Sequence, residues 1–436
     1  MAADAQFQLA AAPERRFWPA PARLALRFAL IYFALFCAGT QVLVNMLPIP
    51  DLGIPELYTT LPFRAVIFPT ANHVFHAKLP LVFEGSGSGD KTYDWVFCFC
   101  SLVIAAVAAG LWTLLSKRTN DAAVYKWFRL FLRIAVGTEM LLYGSVKVIP
   151  LQMPFPFLTK LLEPYGNFSP MGALWYSVGA SPAYEMFVGT AEMTGGLLLL
   201  FPRTAMLGAL ISLADITEVF TLNMTYDVPV KLLSLHILVM LLVILAPDMK
   251  RILQFFLTSN GAGPSTAPPL FASPRRNRIA RVTQVVYAFI MLAMFFHSDY
   301  KAWHQYGAGA PKSELYGIWN IEQRTVDGKP LLATATDTKA WRRIVFDRPG
   351  SMAIQLMSDG FANCVAQIDL KASVIGLSKG AATGTLRFQR PDPQHLTLDG
   401  TLDQHAEHLE LSLVDRNKLM LVSRGFHWIQ EYPFNR

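Results

Sequence analysis

The sequence predicts an α-helical polytopic membrane bundle of about seven transmembrane helices, joined to a C-terminal antiparallel β-barrel. Three observations predict it: seven apolar stretches of near-membrane length, basic clusters beside them, and a switch to strand-like alternation after Lys312. Of the 436 residues, 53% are hydrophobic and 16% charged, against roughly 25% charged in an ordinary soluble chain. The formal charge of +7 does not indicate nucleic acid, because the basic residues gather as Arg15-Arg16, Lys117-Arg118, Lys250-Arg251 and Arg275-Arg276-Asn277-Arg278. That is the positive-inside pattern, with the lipid bilayer as partner.

The apolar stretches run near 22 to 47, 93 to 115, 124 to 149, 182 to 201, 204 to 222, 229 to 246 and 281 to 298. Each approaches the roughly 20 residues that span a hydrocarbon core. The first begins too late and runs too long for a signal peptide, so it reads as a membrane helix. One orientation puts every basic cluster, with Arg203, on the cytoplasmic side. The N-terminus is then inside and the C-terminal region outside.

Two outer loops are substantial, 48 to 92 with Pro48, Pro50, Pro55 and Pro62, and 150 to 181. Within the second, the aromatic and apolar content of 151 to 165 predicts a packed re-entrant or interfacial cap. The Ser-, Gly- and Pro-rich run 259 to 278 reads as a flexible cytoplasmic linker. Beyond Lys312, strands are expected at Trp341 to Asp347, Ser351 to Met357, Ala362 to Leu370, Gly384 to Phe388, His395 to Leu402, His408 to Val414 and Lys418 to Ser423. Their turns carry Asp327-Gly328, Pro349-Gly350, Asp359-Gly360 and Arg416-Asn417. The segment Gly317-Ile318-Trp319 resembles the opening of lipocalin-like barrels, which leaves ligand binding and a structural module both open.

Ionisable residues inside the apolar stretches are the candidate site. A charge at membrane depth costs about 2.5 to 3.5 kcal/mol on insertion scales, so it normally has a partner. Glu139, Tyr143 and Lys147 follow at spacings of four and share a helix face. The Tyr143 hydroxyl could bridge the other two in a proton or ligand relay, or Lys147 could snorkel to the interface. Glu192 lies mid-helix on a stripe with Glu185, Gly189 and Gly196, beside Gly195. It is either a neutral acid able to donate a proton or the partner of Lys147, Lys231 or an Arg. Asp215 and Glu218 lie on the next helix, and Asp227 and Lys231 form an i,i+4 pair. His236 reads as a packing residue.

No metal site is expected. His73 and His76 lack a carboxylate or Cys at metal spacing, and the four Cys include no CxxC. Cys98 and Cys100 point about 200° apart on a helix, which disfavours a disulfide. Nucleophile elbow, P-loop, dinucleotide and HExxH patterns are absent.

Residues 125 to 257 resemble the DoxX-like membrane family. The likeness is carried by Arg129 to Arg133, Tyr143-Gly144-Ser145-Val146-Lys147, Gly189-Thr190-Ala191-Glu192-Met193-Thr194-Gly195-Gly196-Leu197 and Arg203-Thr204-Ala205-Met206-Leu207-Gly208-Ala209. The wider chain resembles long bacterial members with a C-terminal module, through Pro164-Tyr165-Gly166, Tyr226-Asp227-Val228-Pro229-Val230-Lys231 and the ending from Arg424 to Arg436. The resemblance implies a four-helix core at 124–257. Around it stand a cytoplasmic segment 1–21, two added helices at 22–123, a basic linker 258–280, a seventh helix 281–298 and a barrel domain 312–436. It also implies a bacterial inner-membrane location with the barrel in the periplasm.

Some relatives are membrane subunits of quinone-linked oxidoreductases. By that likeness Glu192, Glu139 and Tyr143 would exchange protons, while Lys147, Lys231, Glu218 and Asp227 would surround a quinone-like or isoprenoid head group. Electrons would come from a redox partner subunit. The alternative is a non-enzymatic anchor that presents the barrel to a periplasmic ligand or partner.

Overall fold

A computed structural model describes residues 18–49, 56–258, 269–331 and 336–435. Arg15-Arg16, Pro50, Pro55, Arg436 and residues 259–268 of the expected linker lie outside the described residues. The chain divides into two compact units, Met1–Val148 with Phe187–Ser298, and Ile149–Met186 with Asp299–Arg436. The loop at 150 to 181 therefore belongs with the barrel.

In chain order the helices are α1 (Ala20–Gly39), α2 (Gln41–Asn45), α3 (Leu61–His73), α4 (Thr92–Leu115), α5 (Ala122–Val148), α6 (Leu158–Leu162) and α7 (Pro170–Gly179). They continue as α8 (Pro182–Leu200), α9 (Ala205–Thr225), α10 (Lys231–Leu245), α11 (Met249–Leu257), α12 (Pro274–Gln305) and α13 (Met420–Ser423). Six of the seven apolar stretches each form one helix, and the first forms two, α1 and α2. Among the described residues, five helices are long and apolar enough to cross a membrane: Ala20–Gly39, Thr92–Leu115, Ala205–Thr225, Lys231–Leu257 and Pro274–Gln305. The other two, α5 and α8, are the ones that carry Glu139 and Lys147, and Glu185 and Glu192.

In the helical unit, α1, α4, α5, α9 and α10 share one hydrophobic core that includes Phe36, Phe97, Val136, Ile216 and Leu241. The first two spans are thus integral to the packing of the bundle. A second cluster joins α5, α8 and α12 through Leu141, Leu200 and Met291. Glycines set the α5–α8 distance: a Cβ on Gly144 would lie 2.7 Å from the Gly189 carbonyl oxygen, and one on Gly196 2.7 Å from that of Gly137. Such small residues let helix backbones approach closely. Arg133, buried on α5, donates to the last carbonyls of α8, Leu199 O at 2.8 Å and Leu200 O at 2.9 Å. Among the described residues of the 48 to 92 segment, Leu61–His73 form α3, and Pro62 falls in its first turn, where its missing N–H costs nothing.

In the second unit the strands are β1 (Gly317–Val326), β2 (Lys329–Pro330), β3 (Trp341–Phe346), β4 (Ser351–Leu356), β5 (Phe361–Asp369), β6 (Val374–Gly380), β7 (Gly384–Asp392), β8 (His395–Leu402) and β9 (His405–Leu413). All neighbours are antiparallel, and pairing of β1 with β9 closes β1 and β3 to β9 into an eight-stranded barrel; β2 is a short arm on β1. Trp319, Phe346, Ile354, Leu386 and Leu398 are among the side chains that fill the interior. Asp327 and Gly328 take positive φ (50° and 75°) in the β1–β2 turn, as do Gly350 and Asp359 at the next two hairpins.

One strand expectation fails. Lys418 to Ser423 forms a 3-10 turn at Arg416–Lys418 followed by α13, because a closed barrel offers no edge for a further strand. Arg416-Asn417 accordingly is not a hairpin turn. Strand β6 was not expected from the sequence, since its glycines break the alternation. The 151 to 165 segment packs, but on the outer wall of the barrel, where Leu158, Leu161 and Leu162 cover Ile318, Val345 and Ala353. Leu158 N donates to Asp347 Oδ2 at 2.9 Å.

Candidate functional site

The site starts where the first apolar stretch breaks. α1 stops at Gly39, which lies so close to α4 that a Cβ would meet Phe97 Cζ at 2.4 Å. Thr40 is extended (φ −96°, ψ −179°) and α2 restarts at Gln41. Gln41 and Asn45, four apart on one face, then meet α5. Gln41 Nε2 donates to Glu139 Oε2 at 3.0 Å and to the Tyr143 hydroxyl at 2.8 Å, and Asn45 Nδ2 donates to Glu139 Oε1 at 2.8 Å. Glu139 is wholly buried. Both its oxygens are held by neutral amides, and among the described residues no Lys or Arg pairs with it.

Tyr143 borders a cavity of about 480 Å³ whose walls include Phe36, Phe97, Cys98 and Tyr58, with Glu84 to Gly89 along another side. The Tyr143 hydroxyl accepts from Gln41, and its proton has no acceptor among the described residues. Tyr58 donates to Asp94 Oδ1 at 2.8 Å. Burial, then the Asp94 carboxylate beside it, pushes the Tyr58 hydroxyl well above the usual phenol range, so it remains a donor.

Lys231 and Asp227 form the expected pair, 3.0 Å apart, but they support the loop bordering the cavity. Asp90 caps the start of α10, accepting from Lys231 N and Leu232 N at 2.9 Å each, while the Lys231 ammonium lies 3.7 Å from Asp90 Oδ2. Gly89 N donates to Pro229 O at 2.8 Å. These bonds tie loop 84–90 to α10, and the cavity there is lined by Val230, Leu232 and Leu233.

Lys147 and Glu192 lie apart from this cavity. The Lys147 ammonium bonds Glu192 Oε2 at 2.6 Å and the Tyr143 carbonyl oxygen at 3.3 Å, with side chains 7% and 3% exposed. The relay through the Tyr143 hydroxyl does not form. Each i,i+4 step advances about 40° around a helix, so over two steps Glu139 turns to α2 while Lys147 turns to α8. Asp215 and Glu218 are near enough for their charges to act on Glu192. The expected single pocket is therefore three places: the Tyr143 cavity, the Lys147–Glu192 pair, and the Asp90–Lys231–Asp227 support.

His236 packs as expected, with Nδ1 2.6 Å from Leu232 O, Nε2 2.6 Å from the Tyr32 hydroxyl, and its ring stacked on Phe36. His73 and His76 are exposed. Among the described residues no group of three or more His, Cys, Asp or Glu could hold a metal. Gln41, Asn45, Tyr58, Asp90 and Asp94 were absent from the sequence-based set. The available signal was the pair of amides four residues apart at the end of the first apolar stretch.

Fold and site together define a multi-pass membrane protein with a polar intramembrane cluster and a C-terminal closed antiparallel barrel. No family model and no solved structure matches the chain. It is 34% identical over 129 residues to Uncharacterized protein YwoB of Bacillus subtilis (strain 168), a match that takes in 30% of this chain and 79% of that protein. The chain belongs to the YwoB family.

Proposed function

We propose that this protein is the membrane subunit of a quinone-linked redox system, and that the Tyr143 cavity receives the head group of a quinone-like molecule. The observation that carries the proposal is the Tyr143 O–H, without an acceptor among the described residues, at an aromatic-walled cavity. A quinone carbonyl is a hydrogen-bond acceptor, and reduction to the quinol takes up two electrons and two protons. Tyr143 would hold the carbonyl oxygen, and Glu139, one turn away, is the carboxylate able to exchange a proton. The electrons come from a partner subunit. The DoxX-like resemblance supports this assignment, and the basic clusters support an inner-membrane orientation with the N-terminus cytoplasmic and the barrel periplasmic.

The test is binding of a short-chain benzoquinone to the purified protein and to Tyr143→Phe and Gln41→Leu. Loss of one neutral hydrogen bond should weaken binding about fivefold in Tyr143→Phe. Affinity unchanged in both variants overturns the site.

One observation favours a second reading, in which the helices anchor a barrel that engages a periplasmic ligand or partner. The tail beyond α13 leaves Phe426, Trp428, Ile429 and Tyr432 at least three-quarters exposed, at 76%, 91%, 80% and 84%. If this reading holds, deleting residues 425–436 abolishes function while quinone binding is intact. A deletion without effect removes it.

A further inference from the structure

We propose that the outward face of α9 around Asp215 and Glu218 docks a transmembrane helix of a partner subunit that carries a Lys or Arg at mid-membrane depth. Asp215 is the central residue of the 21-residue span Ala205–Thr225, about 15 Å from either end at 1.5 Å per residue. Glu218 lies one turn nearer the Thr225 end and is exposed. Asp215 Oδ2 is buried with no hydrogen-bond partner among the described residues.

Among the described residues the charges around Asp215 do not balance. Glu192, Asp215 and Glu218 act on one another, and the ammonium among them, Lys147, is already bonded to Glu192 at 2.6 Å. Two carboxylates are left at a depth where each charge costs about 2.5 to 3.5 kcal/mol against lipid. Leu207, exposed on α9 and about 20° around the helix from Glu218, supplies apolar surface on the same face toward the Ala205 end, as a packed helix requires. A second copy docked on the same face would set Glu218 against Glu218 and add repulsion. A basic helix removes the imbalance, and polar contacts between helices are a recognised source of association in bilayers.

The test uses the full chain in phosphatidylcholine vesicles with a poly-leucine transmembrane peptide bearing one central Arg, followed by energy transfer. The Arg peptide should associate about tenfold more tightly than its all-Leu counterpart. Glu218→Gln should remove that preference and Glu218→Asp should keep it, while Val107→Gln, on the exposed face of α4, leaves it unchanged. Equal binding of the two peptides overturns the proposal, as does a preference that survives both Glu218→Gln and Asp215→Asn. A disulfide joining two copies of the Glu218→Cys protein in high yield also overturns it, because a second copy then covers the face.

Discussion

Replacing Lys147 by Met removes the cation from a pair whose atoms are 2.6 Å apart and whose side chains are 7% and 3% exposed. The packing volume is nearly kept, so the loss is chiefly electrostatic. Stripping one partner from a buried ion pair typically costs about 3 to 5 kcal/mol, because the remaining charge stays desolvated. Glu218 acts on the same carboxylate, as does Asp215, and both add to the cost. Replacing both partners, as Lys147→Met with Glu192→Met, removes the stranded charge and should bring stability back to within about 1 kcal/mol of the parent. The assay is reversible unfolding in mixed micelles, run as a double-mutant cycle. Lowering the pH should restore part of the single variant's loss, since a protonated Glu192 carries no charge. A loss below about 1 kcal/mol in Lys147→Met would refute the reasoning. The pair would then be a loosely held functional site and not a structural lock between α5 and α8.

Gly144→Ala places a Cβ 2.5 Å from Met193 Cγ and 2.7 Å from Gly189 O, and should destabilise the bundle by about 1 to 3 kcal/mol in the same unfolding assay. Gly110→Ala, where nothing lies within 4 Å, should be neutral or stabilising by up to about 1 kcal/mol. Asp90→Ala removes the cap of α10 and should cost about 0.5 to 2 kcal/mol while speeding proteolysis of the 84–90 loop. In the barrel, the hydrogen bond to Asp327 raises the His405 imidazole above 6.5 and holds the Asp327 carboxyl below the usual carboxylate range. The histidine's contribution is complete below pH 6.5 and fades as pH rises through its raised value. The aspartate's contribution is present above its unfolded value and fades as pH falls through its lowered one. NMR titration of His405 should return to about 6.5 in Asp327→Asn, and an unshifted titration in the parent would show that the pair does not form in solution.

What could be read from the sequence follows the range of the interactions. The spans were legible because burial in lipid demands an uninterrupted apolar run, and β3, β4, β5 and β8 because half-buried strands alternate. The Asp227–Lys231 pair was legible because i,i+4 proximity is local. Glu192 was legible as needing a cation, but Lys147, Lys231 and an Arg were all open; only the Gly137, Gly144, Gly189 and Gly196 contact between α5 and α8 selects Lys147. The capping role of Asp90 was not legible, since its partners lie about 140 residues away.

The largest difference between sequence and structure is at Glu139. A carboxylate inside an apolar stretch normally has a charged partner, and Lys147 lies two turns along the same helix. The chain instead supplies two neutral amides from a helix that restarts after an extended Thr40, and the restart depends on Gly39 admitting Phe97. Amides satisfy the carboxylate without an ion pair, so the site carries no fixed countercharge that a neutral ligand would have to displace. The same choice leaves the Tyr143 hydroxyl proton without an acceptor among the described residues, since the Gln41 amide occupies an oxygen lone pair. A lysine in place of Gln41 would balance Glu139, but it would put a charge beside the cavity. The position of the helix break, more than the identity of the charged residues, determines that the cavity offers a neutral donor.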